Sequence, residues 1–171
     1  MERVLVVGCP GAGKSTFARA LRDKTGLPLR YLDMLWHKPD KTNVTREEFD
    51  AGLEQWLGQS RWIIDGNYLR TLEPRLKACD AVFFLDYPLE VCLAGAQERV
   101  GKEREDMPWT ETGFDPEFRQ WILDFARDQR PRILELLKQY RQGREIHVFS
   151  GRKAANAFLL GMAAPALNHM R

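Results

Sequence analysis

The sequence predicts an α/β fold: five strands in a parallel sheet, with helices on both faces. Two observations carry this expectation. Short uninterrupted apolar runs, "VLVV", "WII" and "AVFFL", suit strands buried on both sides. Between them lie longer segments whose apolar residues recur every three or four positions, and such alternation implies parallel strands joined by crossover helices. Length sets a third bound. A chain of 171 residues is enough for one full domain and too little for two ordinary ones, so a single domain over residues 1–171 is expected.

Val4–Val7 forms the first strand. A helix follows over Lys14–Lys24, with Phe17, Ala18, Ala20 and Leu21 on its apolar side and Gly26 and Pro28 as stops. "LRYLD" at 29–33 reads as the second strand. Thr45 and Glu48 make a capping box for a helix carrying Phe49, Leu53, Trp56 and Leu57, and Gly58 ends it. "RWIID" at 61–65 and "AVFFLD" at 81–86 are the third and fourth strands. A helix runs from Pro88 to about Val100. After the polar segment 101–116, Asp115 and Pro116 suit the cap and first turn of a helix bearing Phe118, Trp121, Ile122 and Phe125. A further helix begins near Pro131, "EIHVF" at 145–149 is the last strand, and 151–161 reads as helical.

Composition narrows the function classes. The hydrophobic fraction is 44% and the charged fraction 29%, as in a globular protein rather than a disordered one. No apolar run approaches the roughly 18 residues that span a bilayer, and "MERVLVVG" is too short an apolar start for a secretion signal. A cytoplasmic protein without membrane contact is expected. Twenty-six basic against 24 acidic residues give no broad electrostatic footprint for nucleic acid, so direct nucleic-acid binding is not expected. Cys9, Cys79 and Cys92 have neither disulfide-framework nor metal-ligand spacing.

The chemistry begins at Gly8-Cys9-Pro10-Gly11-Ala12-Gly13-Lys14-Ser15-Thr16, which matches G-x-x-x-x-G-K-[ST] between a strand and a helix. Glycines let backbone N–H groups surround a phosphate, and the helix start adds partial positive charge at the same point. Lys14 would neutralise the outer phosphates and the Ser15 hydroxyl would take one position on Mg²⁺. The pattern points to a nucleoside triphosphate, with ATP and Mg²⁺ as the expected cofactors.

Other candidates follow from strand ends, because ligands in open α/β sheets bind beyond the carboxyl ends of the strands. Asp65 is placed to hold the magnesium side, with Asp86 as the competing carboxylate. Asp33 is expected in the crevice, and Gly66, Asn67, Tyr68 and Arg70 form a hydrogen-bonding set for a second substrate. The segment 101–116, flanked by Arg99 and by Arg127, Arg130 and Arg132, reads as a lid whose arginines stabilise charge on the transferring group. Which arginine meets that group stays open, with Arg130 the assigned candidate.

With these residues in view, the chain resembles the adenylate-kinase-like P-loop phosphotransferases, and among them the small bacterial proteins labelled DNA topology modulation proteins. "VLVVGCPGAGKSTFARAL", "YLDMLWHKP", "WIIDGNYLRT", "VFFLDYP" and the stretch from "REDMPW" to "ILELL" carry the resemblance over nearly the whole chain. It implies a P-loop NTPase fold with strand order 2-3-1-4-5, Arg99 beside the adenine, and Asp65 and Arg70 near the acceptor. One departure stands out: adenylate kinases read D-G-[FY]-P-R where this chain has "DGNYLR". The expected function is therefore ATP-dependent phosphoryl transfer to a small nucleotide or hydroxylated metabolite, with Lys14, Asp65 and Arg130 catalytic and Asp33, Asp65 and Arg70 binding the acceptor. The alternative is a non-enzymatic ATP-binding module that signals to a partner. A GTPase switch lacks an N-K-x-D base-reading motif.

Overall fold

The computed structural model describes residues 1–163; the part of the predicted domain beyond 163 lies outside the described residues. Five strands, β1 (Arg3–Gly8), β2 (Leu29–Tyr31), β3 (Trp62–Asp65), β4 (Ala81–Leu85) and β5 (Glu145–Phe149), form one sheet in the order β2-β3-β1-β4-β5. Every neighbouring pair is parallel. This is the architecture expected from the apolar runs and the strand order implied by the resemblance.

Parallel pairing brings the carboxyl ends of all strands to one edge. Tyr31 and Val6 both sit opposite Asp65, Gly8 opposite Leu85, and Leu85 opposite Phe149. Successive residues of β1 point to opposite faces, and Val4, Leu5, Val6 and Val7 are all fully buried, so both faces of the sheet are covered. Helix α1 (Lys14–Thr25) lies against β1, β2 and β3 and beside α8 (Arg152–Gly161). Its Phe17 ring meets Phe83 of β4 at 5.1 Å and Phe149 of β5 at 5.9 Å. Helix α4 (Leu72–Ala78) packs on β1 and on α7 (Arg130–Gln139), and α6 (Pro116–Asp128) joins α7 to α5 (Leu89–Glu98).

The caps read from the sequence are made. Thr45 accepts from the Glu48 amide at 3.1 Å to start α3 (Arg46–Leu57), and Asp115 accepts from the Glu117 amide at 2.9 Å to start α6. One boundary difference bears on the site. β2 ends at Tyr31, and residues 32–36 turn into a short helix, α2 (Leu32–Trp36). Its partner β3 stops at Asp65, so a longer β2 would have no ladder to join. Asp33 therefore stands in the first turn of α2 rather than at the tip of a strand.

The glycine turn after β1 is set against α5 with no room to spare. A Cβ on Gly11 would lie 2.0 Å from the Cys92 carbonyl oxygen, and one on Gly95 would lie 2.1 Å from the Gly11 carbonyl oxygen. Both clashes are with backbone, which cannot swing aside as a side chain can. Gly95→Ala is expected to destabilise the protein by about 1–3 kcal/mol, because overpacking must displace one of the two segments. Urea unfolding measures this; an unchanged midpoint would mean that α5 yields freely.

Candidate active site

The turn between β1 and α1 is shaped as an anion cradle. Gly11 and Gly13 have φ of +87° and +93°, which residues with a Cβ adopt only under strain. The Ala12 amide closes the turn on the Cys9 carbonyl at 3.0 Å. No side chain caps the start of α1 and no acidic residue lies in its first turn, so its positive end is left to an anion. Lys14 and Ser15 follow at once and line a cleft of about 920 Å³.

Asp65, at the end of β3, meets the cradle. The Ser15 hydroxyl donates to its Oδ2 at 2.7 Å, while Oδ1 is buried with no hydrogen-bond partner. Burial raises the Asp65 pKa to about 6, opposed by the Lys14 charge and the Ser15 hydrogen bond. An oxygen-only pair with a buried, unsatisfied carboxylate oxygen fits a hard cation such as Mg²⁺. Among the described residues no cluster of three or more His, Cys, Asp or Glu could hold a metal alone. Asp86 is placed otherwise: both of its oxygens accept from the Arg130 guanidinium at 2.8 Å.

The loop after Asp65 fixes the cradle from below. Asn67 meets both backbone polar groups of Gly8: its Oδ1 accepts from the Gly8 amide at 3.0 Å, and its Nδ2 donates to the Gly8 carbonyl at 2.6 Å. The side chain thus continues the β1–β3 ladder by one step. Tyr68 has φ of +38°, and its hydroxyl donates to Asp33 Oδ1 at 2.7 Å. Beneath this loop lies Arg75 of α4, fully buried. Its guanidinium donates to the carbonyls of Gly66 at 3.0 Å and Tyr68 and Thr71 at 3.2 Å, and to that of Asn67. Burial brings its pKa down to about 9.

Asp33, Trp36, His37, Phe49, Tyr68 and Arg70 line the same cleft. The segment 101–115 forms one wall. Glu105 accepts from Arg22 of α1 at 3.1 Å and from the Tyr31 hydroxyl, and Trp109 meets the His37 ring edge-on at 5.0 Å. Arg104, with 13% of its side chain exposed, is held loosely by Asp106 at 3.7 Å and Glu111 at 3.9 Å. Arg99 lies over the Phe118 ring at 5.9 Å, and burial, with Arg104 nearby, lowers its pKa.

The structure thus brings Lys14, Ser15, Asp33, Asp65, Arg70 and Arg99 to one cleft. Several expectations need correction. Arg130 does not line the cleft; a bidentate pair with Asp86 occupies its guanidinium. Arg127 and Arg132 likewise pair on the surface, with Asp128 and Glu135. Asn67 holds the cradle rather than presenting to a second substrate, and Tyr68 spends its hydroxyl on Asp33. Arg70 reaches the cleft already paired with Asp50, at 2.7 and 3.1 Å. Arg75 was missed, and Arg104 was covered only within the lid segment 101–116 without being singled out. Only the buried-face spacing Leu72–Arg75–Leu76 signals that Arg75 points inward, and a single arginine there reads as an exception rather than a device.

No protein-family model and no curated protein matches the sequence. Solved structures do match over nearly the full chain. A sugar kinase from Janibacter sp. HTCC2649 is 20% identical, with 94% of this chain and 91% of that chain covered and a TM-score of 0.55. A gluconokinase from Sinorhizobium meliloti 1021 is 16% identical, with 93% and 91% covered and a TM-score of 0.56. Shikimate kinase from Bacteroides thetaiotaomicron is 17% identical, with 93% and 94% covered and a TM-score of 0.55. At these identities the likeness establishes the fold.

Two outcomes follow from the buried charges. A carboxyl whose folded pKa is raised adds stability that is present below about pH 4 and lost as pH rises through about 6. Between pH 4 and 7, without divalent metal, Asp65→Asn should therefore gain on the parent by on the order of 2–3 kcal/mol. Denaturant midpoints across that range test it, and parallel curves would refute the burial of the charge. Arg75→Met, which strands the carbonyls of the 66–71 loop, should cost at least about 3 kcal/mol in urea unfolding.

Proposed function

We propose that the protein is an ATP-dependent phosphotransferase acting on a small-molecule acceptor. One observation carries the reading: the cradle residues Lys14 and Ser15 and the carboxylate Asp33 line the same cleft. A triphosphate at one end would present its terminal phosphate to an acceptor at the other. The likeness to sugar, gluconate and shikimate kinases supports the same reaction class.

In this reading Lys14 and the backbone N–H groups of the cradle hold the outer phosphates. Ser15 and Asp65 would hold Mg²⁺, which supplies charge neutralisation across the phosphates. Asp33, oriented by the Tyr68 hydroxyl, accepts the proton of an acceptor hydroxyl as the γ-phosphorus bonds to its oxygen and the bond to ADP breaks. The arginine for the transferring group is Arg104 rather than Arg130, because Arg104 lines the cleft and its buried Nη1, only 3.7 Å from Asp106, makes no hydrogen bond. Arg99 lies at the base of the same wall. Positioning and charge stabilisation supply most of the catalysis in such transfers.

ATP with Mg²⁺ should raise the melting temperature of the parent, and Lys14→Ala should weaken ATP binding at least tenfold, or about 1.4 kcal/mol. A mass-spectrometric screen of phosphorylated and hydroxylated metabolites with ATP should yield a phosphorylated product. With that acceptor, Asp33→Asn should lower kcat by about 10²–10³-fold while ATP affinity holds. Slow ATP hydrolysis with no product from a broad panel would instead favour a nucleotide-reporting module.

A further inference from the structure

We infer that Cys9 and Cys92 form a redox modification site: a hydroperoxide joins them in a disulfide that ties the glycine turn to α5 and weakens its hold on nucleotide. The effect on nucleotide rests on the phosphotransferase reading of the cradle; the bond itself does not. Cys9 follows Gly8 in the turn, and Cys92 lies near the start of α5. Both are free and buried, Cys9 with 5% of its surface exposed and Cys92 with none. Their segments touch, since a Cβ on Gly11 would stand 2.0 Å from the Cys92 carbonyl oxygen. Across that contact the two thiols lie within hydrogen-bonding reach of each other. Neither has a task in the phosphoryl transfer.

The surroundings prepare the pair for oxidation. The hydrogen bond from Cys9 lowers the Cys92 pKa against the effect of burial, and the Lys14 and Arg152 charges lower it further. The same hydrogen bond, with burial, raises the Cys9 pKa, so at rest Cys9 keeps the proton that the two sulfurs share. Cationic neighbours and a helix start are the settings in which thiolates form. Cys79 supplies an internal contrast. Its thiol donates to the Leu76 carbonyl at 3.3 Å, and burial raises its pKa to about 11. The charges acting on it are those of Arg144 and Asp80, not a second cysteine.

The chemistry balances between the pair and the oxidant. Passing the shared proton to Cys92 leaves Cys9, the sulfur with exposed surface, as the nucleophile. It attacks one oxygen of the hydroperoxide and the O–O bond breaks. A sulfenic acid forms, and the departing oxygen takes up the proton first lost by the pair. The Cys92 thiol then displaces hydroxide from that sulfur: the S–S bond forms, the S–O bond breaks, and the thiol proton leaves with the hydroxide as water. The two sulfurs together lose two electrons and the peroxide gains them. The product holds its sulfurs about 2.05 Å apart, closer than any hydrogen bond. Gly11 already rests on the Cys92 carbonyl, and the Cys9 carbonyl already holds the Ala12 amide at 3.0 Å. Closing the bond must therefore turn the 9–12 loop, and with it the amides that would meet phosphate.

The test uses the full chain, reduced with dithiothreitol, freed of it and then exposed to hydrogen peroxide. Non-reducing peptide mapping by mass spectrometry should find the Cys9 and Cys92 peptides joined with the loss of two hydrogen atoms, and Cys79 free. Affinity for ATP with Mg²⁺, read by calorimetry, should fall about tenfold or more on oxidation and return with dithiothreitol. By reciprocity, saturating ATP should raise the reduction potential of the pair by about 30 mV in a thiol–disulfide buffer. Cys92→Ala should make ATP affinity indifferent to peroxide, whereas Cys79→Ala should respond as the parent does. Thiols left intact by peroxide, Cys9 carried to sulfinic acid, a bond between other cysteines, or a Cys9–Cys92 bond with unchanged ATP affinity would each overturn the inference. None of these touches the transferase reading where the reduced chain binds ATP. A Cys9–Cys92 bond in a chain whose reduced form binds no ATP refutes the cradle reading, and with it the control, while the sulfur chemistry stands.

Discussion

A buried guanidinium organises the whole site. Arg75 is removed from water and forms an ion pair with no carboxylate among the described residues; its guanidinium is met by carbonyl oxygens of the 66–71 loop. An unpaired buried cation is tolerable only if polar groups surround it. Satisfying Arg75 therefore dictates that consecutive carbonyls turn inward. That requirement accounts for Tyr68 in the left-handed region, a conformation costly for an aromatic residue unless its surroundings impose it. With the carbonyls inside, the side chains of the loop are thrown outward toward the strand ends. Asn67 then reaches Gly8 and Tyr68 reaches Asp33.

Three carboxylates near the strand ends are separated by their partners. Asp65, buried behind Ser15, is pushed upward in pKa and keeps one oxygen without a protein donor. Asp33 is oriented by a phenol rather than by a cation. Asp86 is fully committed to Arg130. Environment, more than residue type, distinguishes these groups. The wall formed by residues 101–115 closes the arrangement from above, fastened at Glu105 to Arg22 and Tyr31 and resting by Trp109 on His37.

The strands and the cradle were legible because they rest on local rules. Continuous apolar runs mark β1, β3 and β4, and the spacing Gly8…Gly13-Lys14-Ser15 marks a glycine turn between a strand and a helix. Thr45 and Asp115 announce their helices through caps that need only the next three residues. What could not be read depends on distant partners. Arg130 and Arg104 look alike in sequence; that one is bound by Asp86, 44 positions away, and the other faces the cleft is a matter of packing. Asn67 looks like a substrate ligand until β1 is seen to end beside it. The β2 boundary failed for a related reason, since the length of an edge strand is set by its neighbour. Acceptor-side chemistry is thus the least local part of the molecule, and Arg75 the clearest case.

The mutual contact of Gly11 and Gly95 has a mechanical meaning. Two backbones that meet without intervening side chains have no soft layer between them, so motion of one is handed to the other with little slack. Gly11 is at the crest of the cradle, and α5 leads directly to Arg99 and the wall beyond it. In the proposed phosphotransferase, any shift of the cradle on binding phosphate would be passed directly to α5, whose far end carries Arg99 and leads to the 101–115 wall.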